Sequence, residues 1–172
     1  MSGLLTPRRV IGAQAVVVDD QGRVLLQLRP WPLGWEPPGG HVGPAEEPAA
    51  TVVRETIEET GLEIAVDRLI GYYRFTGIRR ATDVVFRARV IGGGLQPSRE
   101  AWRLRWVDPE ELPRSLFPWY RERIADAVGE PGPATVERVQ PVGMGAVLGH
   151  GLALLADFLR LPARSRQHPR PR

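Results

Sequence analysis

The 172 residues contain no cysteine and no lysine. The first absence excludes disulfides, thiolate metal sites and cysteine nucleophiles, and it is compatible with a reducing compartment. The second means that all 23 basic residues are arginine, which holds the sequence pI near 10.1 although the net charge is only +3. Arginine is never deprotonated in a protein, so a high pI here reflects residue choice more than a basic surface. No apolar run reaches the ~20 residues needed to span a bilayer. Met1 to Arg9 lacks the apolar stretch of a secretion signal, so the expected location is cytoplasmic.

What remains is globular composition, 42% hydrophobic and 25% charged, enough for one core without staples. Val10–Val18 and Arg23–Leu28 read as strands around the turn signal Asp19-Asp20-Gln21-Gly22, and so as a hairpin. Residues 30–40, dense in Pro, Trp and Gly, read as loop. Glu46 to Thr60 carries a helical pattern stopped by Gly61. Strands are expected over 62–75, 82–91 and 103–107, a helix start over 108–112 and a helix over 117–128. Residues 129–141, with three prolines, read as a linker. Strands interleaved with helices indicate an α/β fold on a mixed sheet. The expected organisation is one domain over 1–130, followed over 131–172 by a linker, an apolar helix and an arginine-rich tail.

The 46–60 segment carries the chemistry. On a helical wheel Ala49, Ala50, Val53, Ile57 and Thr60 fall on one side, suited to pack on a sheet. Glu55, Glu58 and Glu59 gather on the other. Carboxylates at this spacing repel by a few tenths of a kcal/mol per pair (about 0.2–0.5), and the helix dipole disfavours them in the C-terminal half. A hard cation such as Mg²⁺ removes both penalties, because it takes oxygen ligands. A solvated acidic face paired with arginines is the competing explanation. The preceding Gly39-Gly40 pair lets backbone approach a metal or a phosphate.

Gly40, five residues, Glu46, seven residues and then Arg54-Glu55-Thr56-Ile57-Glu58-Glu59-Thr60-Gly61-Leu62 resembles the Nudix box, G-x5-E-x7-R-E-U-x-E-E-x-G-U with U aliphatic. Thr56, at the first aliphatic position, is the one departure, and it touches packing more than chemistry. The resemblance implies a Nudix-like α/β/α sandwich and a hydrolase that cleaves the diphosphate of a small nucleotide-like substrate. It further implies that Glu55, Glu58, Glu59 and the Gly39 carbonyl hold Mg²⁺, with Mn²⁺ as a substitute. Arg54 would orient a box glutamate, and Glu46 would brace the junction of loop and helix. Glu55 is then the general base within the box; Glu100, outside it, is the alternative base or a fourth ligand.

Substrate contacts are expected from outside the helix. Arg29 and Arg79, with Arg74 and Arg80, could meet phosphate; Trp35 and Tyr73, with Tyr72 and Phe75, could stack on a base. Markers of known subfamilies are missing: no proline occurs from Glu63 to Leu95, where the ADP-ribose type carries one, and Arg79-Arg80 stands where the diadenosine-polyphosphate type has a tyrosine. A non-catalytic sensing module and an RNA-acting enzyme are the competing classes, although the arginines are not interleaved with aromatics as RNA binding would favour. Met144, Leu148, Leu152, Leu155 and Leu159 recur at helical spacing. That segment is expected to pack on its own domain or on a second copy in a homodimer, with a membrane surface, through 141–161, as the lesser alternative.

Overall fold

The computed structural model describes residues 10–130, 132 and 135–160. The expectations for the first nine residues and for the arginine-rich tail beyond Arg160 lie outside that range. Eight strands form one mixed sheet: β1 (Val10–Val18), β2 (Val24–Pro30), β3 (Leu33–Glu36), β4 (Gly39–His41), β5 (Leu62–Gly77), β6 (Thr82–Gly93), β7 (Arg103–Val107) and β8 (Val136–Val142). The helices are α1 (Pro48–Thr60), α2 (Pro118–Val128) and α3 (Met144–Arg160). The main path runs β3-β2-β1-β6-β5-β8, with β4 paired to β1 and β7 to β2. β1–β6 and β5–β8 are parallel and the other pairs antiparallel.

The apolar run of β1 follows from burial on both faces. Side chains alternate across a strand, so Ala13, Ala15 and Val17 join Val52 of α1, while Val16 and Val18 join Ile124 and Ala127 of α2. The sheet is thus the middle of an α/β/α sandwich. α1 ends at Gly61, which takes the left-handed conformation (φ 74°) and returns its N–H to the Ile57 carbonyl, closing the helix where β5 must begin.

Four sequence expectations change. The 30–40 segment is not all loop, since β3 and β4 both lie within it. The helix start over 108–112 is a turn: the Asp108 carboxylate accepts the Glu110 N–H at 2.9 Å and Pro113 follows. The linker over 129–141 gives way at Val136 to β8, bonded along the edge of β5, so the chain beyond residue 130 completes the sheet. Its prolines hid a strand, and Pro141 is accommodated because β8 is an edge.

The wheel of α1 is also turned. Its buried residues are Thr51, Val52, Thr56, Glu59 and Thr60, whereas Ile57 is exposed. Three threonines can face inward because each hydroxyl donates to the carbonyl four residues back. Thr56 bonds Val52 and Thr60 bonds Thr56, both at 2.6 Å, and Thr51 bonds Glu47 at 3.3 Å. Thr56 therefore buries its methyl without an unmet hydroxyl.

α3 packs on its own domain. The His150 ring stacks on Phe117 (centroids 4.2 Å, planes 19° apart) and its Nε2 meets the Leu33 carbonyl at 2.8 Å; Asp157 accepts the Ser115 N–H at 2.8 Å. The regularly spaced Met144, Leu148, Leu152, Leu155 and Leu159 are turned outward instead. Among the described residues no helix is long and apolar enough to cross a membrane.

Candidate active site

One face of the sheet's end opens into a cleft of about 840 Å³, a size that suits a nucleotide. Its carboxylate wall is made by α1 against β4. Gly39 has φ 152°, and a β-carbon there would lie 2.3 Å from the Ala13 carbonyl oxygen, so only glycine lets β4 lie this close to β1. With β4 pressed in, the Gly39 N–H donates to Glu59 Oε2 at 2.9 Å, and the Glu55 carboxylate lies directly on Gly40.

The three box glutamates occupy different surroundings. Glu59 is buried, Glu55 is mostly covered and Glu58 is exposed. Burial, reinforced by the charges of Glu36 and Glu55, pushes the Glu59 carboxyl up to about 8, although the nearby Gln27 amide and the Gly39 N–H favour its anion. Glu58 does not line the cleft; its carboxylate accepts from Arg54 Nη1 at 3.1 Å. Among the described residues no three acidic or histidine side chains are gathered closely enough to hold a cation as they stand.

Arg54 sets this arrangement. Its Nε and Nη2 donate to the two oxygens of Glu46 at 2.9 and 3.0 Å, and its Nη1 lies 2.8 Å from Glu55 Oε1. The fork geometry is what lets one side chain serve three carboxylates. Hydrogen bonds from Arg54, and next from the Gly43 N–H, hold the Glu46 carboxyl down at about 2. Glu46 thus fastens the turn at Gly43 to α1.

Of the other expected site residues, the cleft gathers Arg29, Arg79 and Glu100 with Gly39, Glu55 and Glu59. Arg29 donates to both oxygens of Glu36 at 3.2 Å. Arg79 lies over the Phe75 ring at 4.8 Å and 3.9 Å from Asp83. Glu100 is exposed and enters no ion pair among the described residues. Two expected substrate contacts are corrected. Trp35 and Tyr73 are core side chains and neither lines the cleft. Trp35 alternates inward because β3 pairs in register with β2, and Tyr73 spends its hydroxyl on Asp126 at 2.8 Å.

Sequence reasoning missed a buried polar group of which Glu36 and Asp83 line the cleft. Gln27, Glu36, Asp83 and Arg123 are buried polar side chains on separate elements, with no periodic signal to group them. Glu36 accepts from the Tyr120 hydroxyl at 3.2 Å, and burial raises its carboxyl above the usual range. Arg123 donates to Asp83 at 2.9 Å, to Gln14, and through Nε and Nη2 to Gln140 at 3.1 and 2.9 Å. The Gln27 amide, fully buried and facing Glu36 and Glu59, makes no hydrogen bond of normal geometry among the described residues.

These features fit a hard cation. The donors are all oxygens, one carboxylate is destabilised as an anion where it lies, and a buried amide has unused capacity. An α/β/α sandwich with two glutamates of one helix set on a glycine bend beside a nucleotide-sized cleft defines a class of phosphorus–oxygen hydrolases. The chain belongs to the Nudix family: the NUDIX domain model matches residues 8–127. Members of that family depend in general on a divalent metal.

Particular relatives agree. A MutT-like protein of Streptomyces ambofaciens is 35% identical over 127 residues, 74% of this chain and 82% of the relative. An ADP-ribose pyrophosphatase of Methanocaldococcus jannaschii is 32% identical over 107 residues, 59% of this chain and 63% of the relative. The crystal structure of an ADP-ribose pyrophosphatase from Streptococcus suis superposes with a TM-score of 0.62 at 22% identity, over 75% of this chain and 97% of that one, which establishes the fold.

Proposed function

We propose that this Nudix hydrolase cleaves the diphosphate of a nucleoside diphosphate-linked compound, with Mg²⁺ as its metal and Mn²⁺ as a substitute. The observation that carries the reading is the pair Glu55 and Glu59, seated on Gly39-Gly40 at the wall of the cleft. Glu55, Glu59 and the Gly39 carbonyl would hold the ion, with Glu58 joining once it leaves Arg54. The bound ion would neutralise diphosphate oxygens and acidify the attacking water.

The remaining work falls to the chain's own groups. Arg54 pairs with Glu55 and orients it, which suits a ligand more than a base. Glu100 lines the same cleft with no ion pair among the described residues, so it is the group assigned to take the proton from water as it attacks phosphorus, with Glu55 as the alternative. Arg29, Arg79 and Arg80 offer charge to the phosphates. A cytoplasmic location suits such substrates, and the outward leucines of α3 support a homodimer, which a sedimentation mass would test.

Product release from a panel of nucleoside diphosphate derivatives, with and without Mg²⁺, tests the activity. Glu59→Gln should lose turnover by orders of magnitude while melting no lower than the parent without metal, because glutamine is buried without the proton uptake that Glu59 needs on folding. Equal turnover by that variant would overturn the assignment.

A further inference from the structure

Trp31 is the most exposed large hydrophobic side chain among the described residues, at 84%. It stands between β2 and β3, flanked by Pro30 and Pro32, and it lines the same cleft as Glu55 and Glu59. A bare indole forgoes the stabilisation that burying its area would bring. The Phe, Trp and Tyr rings that line the cleft besides Trp31 are occupied. Phe117 stacks on Trp119 (centroids 5.1 Å, planes 14° apart) as well as on His150, and Tyr120 meets both Phe117 and Trp119 edge-on. Trp31 enters no ring–ring contact among the described residues.

The backbone at Trp31 is nevertheless held. Arg29 Nε donates to the Trp31 carbonyl at 3.2 Å while its Nη1 is fixed on buried Glu36. Two adjacent prolines restrict the main chain further. A fixed backbone presenting an uncovered indole at the mouth of a cleft lined by Arg79 and Arg80 is suited to a planar ring carrying phosphates.

We propose that Trp31 is the residue of this cleft that stacks on the base of the substrate. The inference rests on reading the cleft as a diphosphate site. Stacking uses the face that every base possesses, so recognition through Trp31 tolerates different bases.

The test measures binding of an α,β-methylene nucleoside diphosphate and of base-free methylenediphosphonate to the full chain with Mn²⁺ present, by calorimetry and tryptophan quenching. Trp31→Ala should weaken the nucleotide roughly 5- to 100-fold and leave the diphosphonate unchanged, with Trp31→Phe recovering most of the loss. Unchanged nucleotide affinity in Trp31→Ala, or equal weakening of both ligands, overturns the stacking role alone. If the parent protein binds neither ligand, the diphosphate reading itself fails, and the stacking role fails with it.

Discussion

A β-carbon placed on Gly40 would lie 2.4 Å from both the carboxylate carbon and Oε1 of Glu55. The absence of a side chain at one residue thus fixes where the other's charge sits. Gly40→Ala adds a single methyl, yet it must push the Glu55 carboxylate off the bend. Turnover should fall by about tenfold or more, with a higher Mg²⁺ requirement, because ligand misplacement of this size is costly in a preorganised site. Kinetics across a Mg²⁺ titration would show it, and parental kinetics in this variant would remove Glu55 from the site.

Glu59 makes the metal-free protein sensitive to base. Its carboxyl stands at about 8 in the folded chain, mainly through burial, against 4.5 in the absence of the fold. Below the lower value both states are protonated and nothing is lost. As pH rises through that window the unfolded chain releases a proton that the folded chain retains, so folded stability falls, and above the folded value the loss is complete. Buried Glu36, also raised, acts in the same direction. Thermal melts without metal should therefore decline from about pH 5 to 8, and Mg²⁺ or Mn²⁺ should raise the melting temperature more at the alkaline end, since cations compete with the proton.

Arg54→Lys keeps the charge and loses the fork. An ammonium cannot hold both oxygens of Glu46 and also reach Glu55 and Glu58, so the substitution is not conservative here. Turnover should drop on the order of tenfold. The melting temperature should move little, because Arg54 is substantially exposed. A large fall in stability with intact kinetics would make Arg54 structural only.

Arg123 gives the opposite pattern. Its guanidinium and the Asp83 carboxylate are each only 1% exposed. Arg123→Met should cost about 3–5 kcal/mol by removing the buried partner of Asp83 and leaving only the more distant, exposed Arg79, and adding Asp83→Asn should return part of it. Denaturant unfolding of the two single variants and the pair measures that coupling.

The same residue ties the C-terminal segment to the cleft, since Gln140 of β8 accepts from Arg123. A chain ending at Glu130 loses that acceptor and uncovers the edge of β5, and it should fail to fold stably. A chain ending at Val142 keeps the sheet and should fold with a lowered melting temperature.

The helical spacing of Glu55, Glu58 and Glu59, the glycine pair before them and the stop at Gly61 are local features, so the chain alone determined the α/β class and the acidic helix. Runs of valine and alanine likewise marked β1, because a strand buried on both faces needs no alternation. Which carboxylate is buried, which aromatic is core and which faces solvent depended on packing between elements distant in sequence. Trp35 and Trp31 are four residues apart and chemically identical; only the pairing of β3 with β2 buries one and leaves the other bare. Half-buried Gln14 and buried Asp83, Arg123 and Gln140 come from four elements, and β8 is a strand only because β5 offers it an edge. Local periodicity carries no record of such contacts, because their energies arise only when the sheet has brought the partners together.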